Sequence, residues 1–515
     1  MLLLGLGAMN LVFGDLNQDE GWYLYAARLI DEGQLPYQDF AFTQAPVLPF
    51  VYSVIQPLME RWGVAAGRLL SLALALATAF VAATLGRRLA PRGHGTFAFL
   101  MTWLLIAGCI YQSYFTTVVK TYSLCAFFMT FGFLALTSPG WVGAFGAGVL
   151  LVLAAGTRVS AGVLLPLVFA CLLYRRRVFG NTAWMGFAVG AGLAAVLVFL
   201  PFLLVAPEAT WFSLVQYHSS RSAGGFLPML VFKAGFISRM VQAFFLPLAL
   251  AVTLLILRWC GGLRPEKSAD ESPVPSLASL AWLSVAVVTA VHFSAPFPYE
   301  DYQCVIFPVF VAALSSAWVR AMAPVLPAER ASPFVVGMLG VVLLLGVGSA
   351  FSSPINQDWF VRGRDRIWWR LKDRPDLMVL RQAGAWVRSH SKPSDLLLTQ
   401  DTYLAVEAHR RVPRGLEMGP FSYYPEWSRK QAKQLHVLNR DMMRELLAAA
   451  PAPLAAFSGY GLSIRSPEIS ELPDVEQRAL WSLVEQRYQE VLTVPHFGQA
   501  HTTLRLLERQ APQHR

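Results

Sequence analysis

Residues Gly14 to Tyr52 read GDLNQDEGWYLYAARLIDEGQLPYQDFAFTQAPVLPFVY. Asp15, Asp19, Glu20, Asp31, Glu32 and Asp39 stand here among aromatics and prolines, between an apolar run at Leu2 to Phe13 and another at Gly67 to Gly86. A polar stretch between apolar segments is the pattern of a chain that leaves a membrane and re-enters it. Carboxylates held at such a boundary are candidates for a base or a metal ligand.

The rest of the chain supplies the membrane context. Hydrophobic residues make up 55% of the 515 and charged residues only 14%, more apolar side chain than a soluble core needs. Further apolar runs lie at Thr96 to Tyr111, Tyr122 to Leu136, Trp141 to Gly156, Ala161 to Tyr174, Ala183 to Val205, Val241 to Leu257, Leu277 to Phe293, Val305 to Val319 and Phe334 to Phe351. With Leu2 to Phe13 they make about eleven expected spans. That first run is short, and no small-residue cleavage site follows it, so it reads as a retained helix and not as a signal peptide.

Orientation follows from Lys and Arg, which collect in cytoplasmic loops. Arg87, Arg88 and Arg92 form one cluster, Arg175 to Arg177 a second, Arg258, Arg264 and Lys267 a third, and Arg320 with Arg330 a fourth. Placing them inside puts the Asp19 loop, the Pro207 to Met240 loop, the Ser294 to Gln303 loop and everything after Ser352 outside. The net charge of +10 is then mostly topology, and no basic-aromatic pattern points to nucleic acid. Cys109, Cys125, Cys171, Cys260 and Cys304 lie in or beside the spans without metal spacing, and none is in the outer tail.

After Ser352 the composition becomes that of a soluble protein, and about 160 residues suffice for one small domain. Helix-like and strand-like patterns alternate there: Ala383 to Ser389, then Leu396 to Thr399, and later Arg440 to Ala449, then Pro453 to Phe457. The expected fold is therefore a polytopic α-helical membrane protein with a small α/β extracytoplasmic C-terminal domain. Its parts are residues 1–351, with a first outer loop at 14–66, and residues 352–515.

Within the loop, Asn17 or Asp19 can cap a helix, Trp22, Ala26, Leu29 and Ile30 fall on one face, and Gly33 ends it. This predicts a short amphipathic helix lying along the outer surface. Asp19 and Glu20 occupy its first turn, where carboxylates also simply complement the helix dipole, by roughly 0.3 to 1 kcal/mol.

The ordered set Asp19-Glu20, Tyr23, Ala26, Ala27, Gly33, Pro36-Tyr37, Asp39, Pro46, Pro49 and Tyr52, followed by Gly67-Arg68-Leu69-Leu70-Ser71, resembles the first outer loop of the GT-C glycosyltransferases. This superfamily of polyprenyl-phosphate-sugar-dependent membrane enzymes includes protein O-mannosyltransferases and lipid A aminoarabinose transferase. The resemblance implies transfer of a sugar from a polyprenyl-phosphate donor to a lipid, glycan or protein acceptor on the outer face of the plasma (inner) membrane, with inversion. It makes Asp19 the catalytic base, with Glu20 and Asp39 in support.

A leaving phosphate needs positive charge or oriented donors. The candidates for the donor phosphate are Arg68, Lys120, Arg158 and Arg221, with His218 and Lys233 as further outer-side cations; at a span edge, such cations also simply snorkel to the headgroups. Several relatives carry a carboxylate at the start of the fourth span, whereas Thr116 to Tyr122 offers Lys120 and no carboxylate. That favours a cationic phosphate clamp over a metal; no metal ligand is assigned, and a divalent ion remains an open cofactor. Glu300 and Asp301 are the carboxylates able to compensate, or else they pair with a neighbouring arginine. A lipid or solute transporter would use the same carboxylates for a proton or cation, but would need ionisable groups near the midplane, and here they gather at one face. A family member acting only as a scaffold is a third reading.

Overall fold

The computed structural model describes residues 2–219, 225–260, 273–324, 337–342, 344–345, 374–462, 472–499 and 501–510. Among these, four helices are long and apolar enough to cross a membrane: Val64–Leu89, Ala183–Val205, Phe226–Ala243 and Ser276–Ser294. A fifth span arises if Gly95–Ala107 and Ile110–Thr117, bent by 71° at Gly108 and Cys109, count as one. Leu3–Phe13, Thr121–Ala135, Trp141–Thr157, Val159–Tyr174, Phe245–Trp259 and Phe307–Met322 are shorter apolar helices. Large exposed side chains such as Leu197, Leu204, Leu255 and Trp259 suit a lipid surround. The chain is a helical, polytopic membrane protein.

Pro207 to Met240, expected as a loop, instead contains the helix Phe226–Ala243. Lys233 and Arg239 dilute its hydropathy, yet both side chains find partners: Lys233 donates to the Phe293 and Ala295 carbonyls, and Arg239 pairs with Glu300 at 2.8 Å. The run expected at Phe334 to Phe351 lies largely outside the described residues.

The C-terminal part carries a four-stranded sheet, with β1 at Leu397–Thr399, β2 at Leu454–Phe457, β3 at Tyr488–Phe497 and β4 at Thr502–Arg509, in the order β1-β2-β4-β3. β1 and β2 are parallel, and β4 runs antiparallel to both β2 and β3. Helices Asp376–Ser389 and Arg440–Ala449 precede β1 and β2, the positions at which the sequence alternates.

One hydrophobic core joins the loop to this sheet: Leu16, Trp22, Tyr25, Phe42 and Tyr52 cluster with Leu380, Leu398, Tyr403, Leu454 and Leu506. The loop segment thus packs as part of the C-terminal unit as much as of the membrane bundle. Polar ties reinforce it. The Gln18 amide donates to Gln499 at 2.7 Å, the Val412 amide to the Tyr25 hydroxyl at 2.9 Å, and the Val64 amide to Glu407 at 3.1 Å.

Candidate functional site

The helix Gln18–Asp31 starts with a complete capping box: the Asn17 side chain accepts from the Asp19 amide at 3.0 Å, and Glu20 accepts from the Asn17 amide at 2.9 Å. At its end the amides of Gly33 and Gln34 close onto the carbonyls of Ile30 and Leu29, with Gly33 at φ +83. The helix is not a surface helix, which corrects the amphipathic reading. Glu20 to Ala27 are all buried, because the helix packs against the C-terminal unit at Gly21 and, through Trp22, at the Phe421 ring. A methyl group on Gly21 would lie 2.4 Å from the Tyr403 nitrogen and 2.6 Å from the Thr402 hydroxyl, so only glycine allows this approach.

Glu20 and Arg68 are fully buried and pair through two bonds of 2.7 Å. The remaining Arg68 donors reach the backbone carbonyls of Asn10, Leu11, Gly14 and Asp15, closing the end of the first helix with a cation where its dipole is negative. Glu20 also accepts from the Val119 amide at 3.2 Å. Arg68 was read as a phosphate ligand and Glu20 as support for the base. With its donors committed to buried acceptors, Arg68 has none turned to a ligand, and the Glu20 oxygens are likewise filled. Asp39 is exposed and accepts from the Leu35 amide at 2.7 Å, which pins its own turn.

Asp19 faces elsewhere. Its Oδ1 accepts from Trp22 Nε1 at 3.1 Å, and its Oδ2 lies 3.5 Å from Lys120 Nζ, with about a quarter of the side chain (24%) exposed. Lys120 is 3.2 Å from Asp301 Oδ2, which also accepts from the Tyr122 hydroxyl at 2.8 Å. The ammonium thus sits between two carboxylates, over the rings of Phe115 and Tyr122. Extended backbone at Lys120, just before the helix Thr121–Ala135, aims the side chain there, and the Glu20 bond to Val119 anchors that backbone. Arg158 completes the group, 4.1 Å above the Tyr302 ring and 5.2 Å from Tyr122, with Nη1 donating to Thr121 at 3.2 Å. Its Nε is buried without a hydrogen-bond partner, an unfilled donor beside the cluster.

Of the sequence candidates, the structure brings together Asp19, Lys120, Asp301 and Arg158. Glu300 is held by Arg239, and the His218 ring contacts the Thr43 carbonyl at 3.1 Å. Arg221 lies outside the described residues. Sequence reasoning missed Trp22, Tyr122 and Tyr302. Trp22 was findable, since three residues along a helix from Asp19 is a neighbouring position. A metal shared by Asp19 and Asp301 does not fit this arrangement, because Lys120 already supplies the cation between them.

No protein-family model and no curated protein matches the chain. Among solved structures it is similar to ArnT from Cupriavidus metallidurans bound to undecaprenyl phosphate, with TM-score 0.59 and 14% identity over 98% of this chain and 96% of that one. The apo state of that ArnT matches with the same values. The archaeal oligosaccharyltransferase AglB from Archaeoglobus fulgidus, in complex with an inhibitory peptide and a dolichol-phosphate, gives TM-score 0.48 and 10% identity over 89% of this chain and 69% of that one. The likeness to that ArnT is one of fold alone.

Proposed function

We propose that this protein is a membrane glycosyltransferase that moves a sugar from a polyprenyl-phosphate donor to an acceptor on the outer face of the membrane, with inversion. The observation that carries this reading is the Asp19–Lys120–Asp301 cluster with Arg158 beside it, in a chain of GT-C fold. Asp19 is its partly open carboxylate and serves as the base: it takes the proton of an acceptor hydroxyl as that oxygen attacks the anomeric carbon. The bond from that carbon to the phosphate oxygen breaks, and the polyprenyl phosphate leaves with the electron pair. Lys120 and the unfilled Arg158 Nε receive the phosphate charge. On donor binding Lys120 exchanges Asp19 for the phosphate, which frees the base before the attack. Asp301 and Tyr122 hold Lys120 for that exchange.

The same reading places about eleven spans in the inner membrane, with the clustered arginines cytoplasmic and the C-terminal α/β unit outside, over the loop. A periplasmic reporter fused after Arg515 is expected to be active, and an inactive one overturns this topology.

The deciding experiment is transfer in lipid by purified protein, with a panel of radiolabelled polyprenyl-phosphate sugars and membrane extract as acceptor. Label should reach an acceptor with one donor, and Lys120→Ala should raise the donor KM; melting is read beside it, since the substitution also leaves the buried Asp301 without its cation. Unchanged donor affinity removes Lys120 from the phosphate site. Absence of transfer with every donor removes the enzyme reading and leaves lipid or solute transport to be measured.

A further inference from the structure

Glu300, Asp301, Tyr302 and Gln303 follow one another in a short helical turn, Glu300–Val305. Three of them serve groups already described: Glu300 pairs with Arg239, Asp301 with Lys120, and the Tyr302 ring carries Arg158. The fourth, Gln303, is buried and turns to a chain of polar side chains that the proposed reaction leaves unused. Thr289 Oγ1 donates to Gln303 Oε1 at 3.0 Å, and Gln303 Nε2 stands 3.2 Å from Nδ1 of the buried His292. His292 Nε2 in turn is 3.2 Å from Ser160 Oγ. The His292 ring also meets the Tyr302 ring edge-on at 5.6 Å, so this chain runs alongside Arg158.

The directions of these bonds follow from the first one. An amide oxygen only accepts and an amide nitrogen only donates, so with Thr289 on Oε1 it is the Gln303 nitrogen that faces His292. Nδ1 must then accept, which puts the imidazole hydrogen on Nε2, aimed at Ser160 Oγ. Ser160 is thereby an acceptor, and its own hydroxyl hydrogen has no acceptor among the described residues. It stands half-buried in the turn Val159–Val163, two residues beyond Arg158, whose buried Nε is likewise an unfilled donor. Two unfilled donors at this spacing, one of them oriented from behind by three further side chains, suit an anion that offers several oxygens.

We propose that Ser160 is a further phosphate-binding residue, giving its hydroxyl hydrogen to a phosphate oxygen of the polyprenyl-phosphate donor beside Arg158, and that His292 is its positioning residue, backed by Gln303 and Thr289. The inference rests on the glycosyl-transfer reading for the identity of its ligand. It adds to the two cations a neutral donor whose direction is set by the same turn that seats Lys120 and Arg158 through Asp301 and Tyr302. One short segment then controls all three phosphate contacts, which explains why consecutive residues of it each hold a different partner.

The test is equilibrium binding of undecaprenyl phosphate to the full-length protein in nanodiscs, with undecaprenol, the same chain without its phosphate, as reference. Wild type should prefer the phosphate. Ser160→Ala should weaken undecaprenyl phosphate about tenfold, the scale of a hydrogen bond to a charged group, and leave undecaprenol unchanged; Ser160→Thr, which keeps a hydroxyl, should recover most of the loss. His292→Leu should weaken the phosphate in the wild-type background but no further in Ser160→Ala, whereas a merely structural role adds a second loss and removes His292 from the positioning role. If Ser160→Ala binds undecaprenyl phosphate as tightly as wild type, the inference is overturned and glycosyl transfer still stands; the same result follows if Ser160 gives its hydrogen to His292 instead. Wild type that binds both lipids equally overturns the inference together with the donor reading.

Discussion

Around Glu20 the polar groups are paired and dry: two bonds to Arg68, one to the Asn17 amide and one to the Val119 amide, with both side chains of the pair at zero exposure. Around Asp19, one residue earlier, a lysine stands 3.5 Å away and a quarter of the side chain meets solvent. Neighbouring carboxylates on one helical turn therefore stand in opposite surroundings, as the proposed division of tasks requires. The saturated pair fixes the loop, the end of the first helix and the backbone before Lys120; the open cluster leaves part of Asp19 to solvent. Pre-organisation and reactivity call for opposite degrees of satisfaction.

The widest separation between the two regions should come from paired substitutions. Asp19→Asn is expected to lower transfer by roughly 10²- to 10⁴-fold, the range of a general base, while melting stays near wild type. Glu20→Ala or Arg68→Ala should instead cost about 3 to 5 kcal/mol, because each leaves a buried charge without its partner. Thermal melting in detergent and the yield of monodisperse protein read this directly. If Asp19→Asn unfolds the protein as Glu20→Ala does, the division between a structural and a reactive carboxylate fails.

Asp401 sharpens the comparison, as a buried carboxylate bonded by neutral donors. At 1% exposure it accepts from the hydroxyls of Tyr403 and Ser458, each at 2.8 Å, and from the Ser458 amide at 3.2 Å. Burial pushes its pKa up to about 6 from 3.8, and the hydrogen bonds only partly offset that. Because the folded value lies above the unfolded one, the contribution to stability is complete below pH 4 and is lost as pH rises through 6. The loss is on the order of 3 kcal/mol. Melting of wild type relative to Asp401→Asn should diverge between about pH 3.5 and 6.5, the window set by the two values, with the variant the flatter of the two. Parallel curves would mean that Asp401 does not titrate in this window.

Several of these features are legible in the sequence because they are local. Asn17 and Glu20 stand at capping-box spacing, and Gly33 marks the helix end. What stays hidden is long-range pairing. Arg68 meets Glu20 across 48 residues and Lys120 meets Asp301 across 181, so an arginine committed to a buried carboxylate looks, in sequence, like one available for phosphate. The buried second face of the loop helix depends on Thr402 and Tyr403, far along the chain. The helix Phe226–Ala243 was hidden for a different reason: its apolar character is diluted by charges whose partners only the fold supplies.

The smallest effect lies inside the open cluster. Trp22 Nε1 is a neutral donor to Asp19 Oδ1, the oxygen not facing Lys120, and the ring also packs on Tyr23 and Phe42. Trp22→Phe keeps an aromatic ring in that packing and removes the donor. A hydrogen bond to a charged group is worth about 1.5 to 3 kcal/mol at most, and partial solvent access to Asp19 reduces that. The expected change is about three- to tenfold in kcat, close to 1 kcal/mol, with the donor KM unchanged, since Lys120 and Arg158 are untouched. A rise in KM without a fall in kcat would mean that Trp22 lines the donor path and does not orient the base. The substitution therefore asks whether the Asp19 region is held by one bond where the Glu20 region is held by four.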